Sequence, residues 1–461
     1  MAADTTLASF GYQQELKRAL TTKDLVIYGM VFMGPLAVMN LFGAMDTVSQ
    51  GHTVLAAVIA FTAMTFTALS YSKMVQAFPV AGSTYSYTSR AIDSRLGFLA
   101  GWAMLLDYAF IPTFLTVTAA NYSVLLLPSV PFWVWVALYV TAITAVGVLG
   151  ITLTAKADLV VYVVMIATVA VFVATAVAFL GDGGGAGLFS GKAVFSPQDF
   201  DLGKLMTASA MAVLCYMGFD GITTLSEETR VAAKKIGFAM IVSCLLQTLL
   251  FIVVGYLATA VLPDYTAITD PDTAFSEVAT RIGGDWLQTL INVVMVVSVA
   301  ATALTAVTAA ARVLYGMGRD RMLPHIFAQL HPKYKTPVYG IVLMSLVTFV
   351  GSLTLDFILL AELVTFGALF GFICVNISVV VHFFFKLRER RYIPNLILPA
   401  LGAGICVWVW FSLTGLCKIV GFAWLGAGVV YLLVRRAISK DFGKALNAKP
   451  AASIETDRPA A

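Results

Sequence analysis

The chain has few charged residues and few long polar stretches. Of its 461 residues, 12% are charged and 60% are hydrophobic, and the mean hydropathy is +0.90. The core of a soluble protein of this length could not bury so much apolar surface. The composition therefore excludes a soluble globular protein and predicts a polytopic membrane protein in a lipid bilayer.

Signatures of catalysis and of metal binding are also missing. The sequence has no HExxH, GxSxG or Walker motif, and its four histidines are scattered. The five cysteines lie in or beside apolar runs without metal-ligand spacing, so we expect them to pack as small hydrophobic side chains. These absences predict that the chain is not an enzyme and has no metal site or cofactor. The basic residues form no pattern that calls for nucleic acid.

Apolar segments long enough to cross a bilayer, about 20 residues each, recur along the chain. They predict about twelve transmembrane helices. These segments begin near Leu25, Val54, Leu96, Pro131, Ala157, Leu205, Phe238, Trp286, Val338, Phe357, Ile393 and Ile419. The segment before the first is charged and lacks the pattern of a signal peptide, so we expect no cleavage.

The predicted spans divide the chain into three parts. Residues 1–23 are expected to form a cytoplasmic N-terminal segment, residues 24–436 the transmembrane domain, and residues 437–461 a cytoplasmic tail without fixed structure. With both termini in the cytoplasm, nearly all of the 29 basic residues lie inside, as the positive-inside rule requires. The exceptions are Lys192, Lys204, Arg281 and Lys418.

Two apolar segments, one in each half of the chain, carry helix-breaking residues near their middles. The first contains Gly34 and Pro35, and the second contains Gly218, Phe219 and Asp220. Proline lacks an N–H donor, and glycine adopts backbone conformations closed to other residues. Because unwound backbone survives in a bilayer only when it is buried in protein or lines a cavity, paired breaks predict a binding site near the midplane. The alternative is a pair of packing kinks.

Several short motifs resemble those of the amino acid–polyamine–organocation permeases. They are FPVAGSTYSYTSRAI after the second span, SEET after the sixth, and GMGRDRMLP and HPKYKTP after the eighth. The resemblance extends from about residue 16 to residue 436. It implies five helices repeated in inverted orientation plus two more, as in the leucine-transporter-type fold, with broken first and sixth helices.

A closer resemblance is to bacterial putrescine importers. It is carried by LLDY at 105–108, GFDGITTLSEET at 218–229, DPD at 270–272, and FGAL followed by VN at 366–376. The resemblance implies a protein of the bacterial inner membrane that carries a small amine.

Two carboxylates are candidates for the binding of an amine. Asp107 lies about eleven residues into the third span, near the bilayer centre. A carboxylate there has to face a cavity, pair with a cation or take up a proton, and each of these suits a cation carrier. The alternative is an aspartate that packs against neighbouring hydroxyls. Asp220 lies in the second break, where it either contacts the amine or supports and gates the break.

Aromatic and amide residues complete the candidate substrate site. Tyr108, Tyr216 and Phe219 can stack on an ammonium or alkyl chain, at roughly 0.5–2 kcal/mol for a desolvated cation, although such rings also serve packing. Pro35 removes an N–H donor that would bind an α-carboxylate, which favours a substrate without one. The putrescine importers that this chain resembles carry an acidic residue at the position of Asn40. The second ammonium group of a diamine would therefore lack its carboxylate here.

Further polar residues are candidates for gating and coupling. Glu227 and Glu228, at the inner end of the sixth span, either close an inside gate or lie on a solvated helix end. In the permeases that the chain resembles, a sodium ion or a substituting lysine lies near the start of the fifth span. Lys156 and Asp158 open that span here, and Thr302 and Thr305 on the eighth could face the same place. Lys156 alternatively anchors the chain at the membrane surface. We expect a proton as the coupling ion, with sodium as the alternative.

These observations predict a secondary active transporter that imports a small organic amine, either a putrescine-like polyamine or a monoamine, by alternating access. The membrane potential or a proton gradient would drive it. One alternative is a proton-coupled amino acid permease of the same fold. Another is a membrane sensor or heteromeric subunit without transport activity. The sequence carries no signal for the oligomeric state.

Overall fold

The computed structural model describes residues 20–79, 83–150, 155–226, 229–319 and 322–438, and the side chains of these residues except 155–158. Within these ranges the ordered elements are helices, and no strand is formed. The predicted fold class, an all-α polytopic membrane protein, is confirmed.

The helices are numbered in chain order. The first half contains α1 (Thr22–Met33), α2 (Ala37–Ser49), α3 (Thr53–Ala77), α4 (Ser83–Ala91), α5 (Ser94–Leu126), α6 (Phe132–Leu149) and α7 (Ala155–Gly181). The second half contains α8 (Leu202–Leu214), α9 (Gly221–Thr224), α10 (Ala233–Val261), α11 (Ala274–Gly283), α12 (Asp285–Arg319), α13 (Val338–Thr354), α14 (Phe357–Val379), α15 (Leu398–Phe411) and α16 (Gly415–Ile438). The π-helical turns Val380–Lys386 and Ile393–Ile397 extend α14 and lead into α15.

Most of these helices are suited to cross a membrane. In the described part of the chain, nine are long and apolar enough, and α1 with α2, bent by 40°, would make a tenth span. Helices α8 and α13 are apolar but shorter. The count of twelve spans stays a prediction.

The first hydrophobic segment forms two helices rather than one. Thr21 and Asp24 cap the start of α1 reciprocally, each side chain bonding the backbone N–H of the other. The helix ends at Gly34, whose φ of 70° lies in the region that favours glycine. Pro35 follows and cannot donate the next helical hydrogen bond. The backbone therefore leaves the helix here and resumes it at Ala37.

The sixth hydrophobic segment is also interrupted. Helix α8 ends at Leu214, and a series of turns leads to Gly218, whose φ is 112°. The single-turn helix α9 then begins at Gly221. The interruptions thus coincide with the helix-breaking residues in both halves of the sequence.

Helix α14 packs closely against both α5 and α3. A Cβ atom on Gly367 of α14 would lie 2.5 Å from the carbonyl oxygen of Ala103 and 2.9 Å from the backbone nitrogen of Asp107, both on α5. Asn376 of α14 accepts a hydrogen bond of 2.6 Å from Ser70 of α3. These contacts fix the helix that carries Asp107 against α14.

Candidate binding site between the helix breaks

The two helix breaks lie in direct contact. Phe32, in the last turn of α1, packs against the second break: a Cβ atom on Gly218 would lie 2.8 Å from its ring, and one on Gly221 would lie 2.6 Å from it. One turn earlier, a Cβ on Gly29 would lie 2.5 Å from the side chain of Ile222. The absence of side chains at these glycines therefore lets the halves of the chain meet at their breaks.

A glutamine stabilises the unwound backbone of the first break. The Gln247 side chain, on α10 and fully buried, donates a hydrogen bond of 3.1 Å to the carbonyl oxygen of Gly34. The same carbonyl oxygen accepts from the backbone N–H of Ala37 at 2.9 Å, so two donors satisfy the backbone that the break frees inside the bundle. Sequence analysis missed this residue, although a lone amide in the apolar run SCLLQTLLF was a visible signal.

A cavity of about 60 Å³ lies beside the first break. Its wall is mostly apolar, and Asn40, Ser298 and Thr302 supply polar side chains. The other lining residues are Phe32, Met33, Gly34, Leu36, Ala37, Leu41, Ile111, Phe114, Leu115, Met165, Leu214, Met217 and Val299. The cavity thus lies between the two breaks and helices α5, α7 and α12.

Asn40 offers the cavity a hydrogen-bond acceptor. Its amide nitrogen donates to the hydroxyl of Thr118 over 3.1 Å, while its buried Oδ1 has no partner among the described residues. Thr302 also lines the cavity, but its hydroxyl donates to the Ser298 carbonyl oxygen over 2.9 Å. Thr305 does not line the cavity, and its hydroxyl bonds within α12. The Asn40 amide oxygen is thus a buried acceptor without a partner in the described part of the chain, whereas the hydroxyl of Thr302 already donates within α12 and can only accept from a ligand.

Asp220 is held inside the second break. The backbone N–H groups of Asp220 itself, Gly218 and Gly221 lie close enough to act on its carboxylate, and the hydroxyl of Tyr108 approaches Oδ2 at 3.5 Å. The residue is 3% exposed. Its carboxylate thus stabilises the unwound backbone and also connects the break to α5.

Asp107 is buried next to this arrangement but does not line the cavity. It packs under Gly367 of α14, and its Oδ1 has no hydrogen-bond partner in the described ranges. The charge of Asp220 acts on it. Two carboxylates thus interact inside the helix bundle, and one of them has an unpaired oxygen.

Aromatic rings enclose Phe219 in the second break. The ring centres of Tyr71 and Phe372 lie 5.5 Å and 5.3 Å from that of Phe219, and Tyr87 stacks edge-on against Tyr71 at 5.9 Å. Of these, sequence analysis selected Phe219. Tyr216, also selected, points to α10, where its hydroxyl and that of Thr248 share a hydrogen bond of 3.0 Å.

One face of α5 connects these features. Tyr108, Ile111, Leu115 and Thr118 follow one another at helical spacing, and they contact in turn Asp220, the cavity and Asn40. From Asp107 to Thr118 the helix rises about 16 Å. Asn40 thus lies in the cavity wall, about 16 Å along the helix from Asp107, which lies outside that wall.

A third carboxylate, Asp46 on α2, was not selected from the sequence. It is 1% exposed, and its Oδ1 accepts hydrogen bonds from Thr53 at 2.7 Å and Thr259 at 3.0 Å. Its Oδ2 has no partner in the described part of the chain. The reasoning that singled out Asp107, a charge within an apolar span, applied equally to Asp46.

The predicted gating and coupling residues are placed only in part. Glu227 and Glu228 lie outside the described residues, as do the side chains of Lys156 and Asp158. Thr302 lies at the cavity. The roles assigned to these residues stay predictions.

Broken helices beside a cavity, within a bundle of membrane-spanning helices, are the arrangement typical of a membrane transporter. The chain belongs to the amino acid permease family, whose sequence model matches residues 23–448. Membership of this family confirms that the chain is a carrier rather than an enzyme.

Several characterised proteins are similar over nearly the whole chain. The low-affinity putrescine importer of Escherichia coli (strain K12) is 31% identical over 423 residues, which cover 91% of this chain and 93% of that protein. The branched-chain amino acid permease of Bacillus subtilis (strain 168) is 26% identical, and the match covers 94% of this chain and 96% of that protein. The methylthioribose transporter of the same organism is 25% identical, and the match again covers 94% of this chain and 96% of that protein.

A solved structure has the same fold. The crystal structure of a manganese transporter from Eremococcus coleocola matches 94% of this chain and 98% of its own with a TM-score of 0.54. The two sequences are 10% identical, so the likeness concerns the fold alone.

Proposed function

We propose that this chain imports a small organic amine, a putrescine-like polyamine or a monoamine, across a bacterial inner membrane. The two helix breaks form the hinge and binding region of an alternating-access cycle, and both termini lie in the cytoplasm. Import is driven by a proton gradient or by the membrane potential.

The pair of buried carboxylates carries this proposal. Asp107 has an oxygen without a hydrogen-bond partner among the described residues, and the negative charge of Asp220 acts on its carboxylate. Like charges in a low-dielectric interior repel strongly, so a cation or a proton is needed to neutralise the pair. An alkylammonium ion supplies that charge and donates N–H groups to the unpaired oxygen. The mostly apolar cavity next to the pair suits the methylene chain of such an ion, and the Asn40 oxygen in its wall can accept from an N–H donor.

Two further observations support an amine. Pro35 leaves the first break without one of the N–H donors that would hold an α-carboxylate. Among the relatives reported above, the one with the highest identity to this chain is a putrescine importer.

Uptake into proteoliposomes tests the proposal. We expect the purified protein to take up radiolabelled putrescine or a monoamine, and Asp107→Asn to lower this uptake at least about tenfold, because a buried carboxylate that pairs with a charge is lost while its volume is kept. Asp93→Asn is the matched control. That carboxylate lies exposed at the start of the same helix and accepts from the Arg95 N–H, which asparagine also does. Equal uptake by wild type and Asp107→Asn would refute the assigned role.

Amino acid transport is the second candidate. The mostly apolar cavity wall also suits the side chain of a branched amino acid, and a similar permease of Bacillus subtilis is named for that substrate class. The uptake panel therefore includes leucine and alanine. Uptake of these neutral amino acids without any amine would replace the first proposal by this one. A correctly folded protein that moves none of these solutes would favour a sensor or a heteromeric subunit.

We propose a proton as the coupling ion, with sodium as the alternative. Lys156 and Asp158, with Thr302 and Thr305, are the residues assigned to coupling. Uptake should be stimulated by an acidic exterior at zero membrane potential and should not require sodium. Strict dependence on sodium would transfer the coupling role to that ion.

A further inference from the structure

Asp270 and Asp356 lie within electrostatic range of Asp272, on the face of the bundle that the sequence predicts to be external. Asp270 and Asp272 flank Pro271 ahead of α11, and Asp356 caps α14 by accepting from the N–H groups of Ile358 and Leu359. The charges of Asp270 and Asp356 both act on Asp272. Both of these neighbouring charges are negative, and neither balances the charge of Asp272.

The segment that carries these aspartates is held in a defined position. The Asp270 carboxylate accepts from the backbone N–H of Asp272 at 3.1 Å and from the hydroxyl of Thr273 at 2.7 Å. A Cβ atom on Gly43 of α2 would lie 2.4 Å from the carbonyl oxygen of Pro271. Because Gly43 lies one helical turn beyond Asn40, the acidic segment packs directly above the cavity wall.

Tyr122 of α5 provides an independent indication of a ligand. The side chain is fully buried, its hydroxyl has no hydrogen-bond partner within the described ranges, and the charges of Asp270 and Asp272 act on it. A buried phenol normally bonds to a neighbouring acceptor. Here two carboxylates are within electrostatic reach and no described group bonds to the phenol. Because Tyr122 lies one turn beyond Thr118 and Gly43 one turn beyond Asn40, the phenol and the acidic segment lie at the same level of the bundle.

We propose that Asp270, Asp272 and Tyr122 form an outer binding site for the ammonium group of an organic amine, which the substrate occupies before it enters the cavity. An ammonium ion has three N–H donors and can bond to the carboxylates and to the phenol oxygen together. The described acidic and histidine side chains form no cluster that could hold a metal ion, which favours an organic cation. This inference rests on the amine transport proposed above.

The site lies on the same face of α5 as the cavity. Tyr122 is one turn beyond Thr118, the partner of Asn40, so the two levels are about 6 Å apart along the helix. A cation could therefore pass from the acidic segment to the Asn40 oxygen and then to the carboxylates of the breaks, with a polar group at each stage.

The charge of the outer site depends on pH near neutrality. Burial and the nearby charges of Asp270 and Asp356 raise the pKa of Asp272 to about 6. The other titratable groups that face this segment are Tyr122 and Glu277, and the latter accepts from the Asp270 N–H. Asp272 is charged above about pH 6 and becomes neutral below it, so the outer site attracts cations less strongly in acid.

Uptake kinetics test the outer site. Putrescine uptake is measured at about pH 7.5, where the carboxylates of the outer site are charged. Under this condition we expect Asp272→Asn to raise KM about tenfold and to change kcat less than about twofold. Tyr122→Phe should raise KM by a smaller factor in the same direction. Asp264→Asn is the control, because it removes an equal charge from an exposed carboxylate that accepts from the Thr266 N–H and hydroxyl. Its KM should equal that of wild type.

External pH provides the second readout. With the pH difference across the membrane held constant, so that the proton gradient does not change, the wild-type KM should rise as the external pH falls through about 6. The KM of Asp272→Asn should stay high and nearly constant over this range. Asp272→Glu keeps the charge and should retain a KM near that of wild type, which separates loss of charge from loss of folding. An unchanged KM in Asp272→Asn, or an equal rise in Asp264→Asn, would overturn the outer site.

The same experiment separates this inference from the proposed function. Wild-type protein that takes up no amine contradicts amine transport itself. Wild-type protein that takes up amine, together with an Asp272→Asn variant of unchanged KM, contradicts only the outer site.

Discussion

The contact between the helix breaks can be tested by adding one methyl group. In Gly221→Ala, the new Cβ would lie 2.6 Å from Cε1 and 2.8 Å from Cδ1 of Phe32, and its other close neighbour, Cζ at 3.9 Å, belongs to the same ring. Because Phe32 is 5% exposed and packed in the core, its ring cannot move away freely. All of the expected strain therefore involves a single side chain.

The magnitude follows from the cost of overpacking. Forcing a methyl group into a well-packed site costs about 1–3 kcal/mol. Replacing glycine by alanine in a helix returns up to about 1 kcal/mol, so we expect Gly221→Ala to lower the free energy of unfolding by about 1–2 kcal/mol. Phe32→Ala alone should cost about 3–5 kcal/mol because it leaves a cavity.

A double-mutant cycle isolates the contact. In the Phe32→Ala background the clash is gone, so Gly221→Ala should cost nothing further, and the coupling energy should be about 1–3 kcal/mol. The free energy of unfolding of the four proteins is measured in the same detergent, with tryptophan fluorescence as the signal. Gly404→Ala, in α15, is the matched control because a Cβ there would have no neighbour within 4 Å.

Gly218→Ala should behave differently. A Cβ there would meet the backbone carbon of Phe32 at 3.1 Å as well as its ring, and the φ of 112° disfavours any residue with a side chain. Its cost, about 2–5 kcal/mol, should therefore persist in the Phe32→Ala background. A Gly221→Ala cost that also persists there, or no cost in wild type, would refute the proposed contact between the breaks.

Three further predictions concern polar side chains of the site. Gln247→Leu removes one of the two hydrogen bonds to the buried Gly34 carbonyl, the other coming from the Ala37 N–H, and should lower the free energy of unfolding by about 1 kcal/mol and reduce uptake. Gln76→Leu, which loses a bond within α3, should do neither, and equal effects would contradict the role of Gln247. Asn40→Asp should strengthen putrescine binding about tenfold relative to a monoamine, and equal changes for both amines in a competition assay would place the second ammonium elsewhere. Asp46→Asn keeps an acceptor at Oδ1 and should unfold near the wild-type temperature. Asp46→Ala leaves two buried hydroxyls without their acceptor and should lower the free energy of unfolding by about 2 kcal/mol or more. Equal unfolding temperatures for these two variants would contradict the structural role of Oδ1.

The membrane-spanning helices and their breaks could be predicted from the sequence, because both depend on the chemistry of neighbouring residues. Apolar length and charge asymmetry are local properties, so the all-helical membrane fold could be predicted. The same holds for the interrupted segments, because the absence of an N–H in Pro35 and of a Cβ in Gly218 acts on the backbone where it stands. A carboxylate within an apolar run is equally visible, which made Asp107 and Asp220 candidates. Asp46 could have been found in the same way.

Contacts between distant residues decided the rest. Gln247 reaches Gly34 across 213 positions, and no local pattern indicates which polar side chain will meet a freed carbonyl. Phe32 joins the two breaks because Gly218 and Gly221 leave room for it, and this room exists only once α1 and α9 cross. Asp107 lies beside the cavity rather than in its wall, since Gly367 lets α14 cover it. Sequence thus determined where the helices break and which charges enter the membrane. Tertiary packing alone determined which groups face one another, because those distances depend on how whole helices approach.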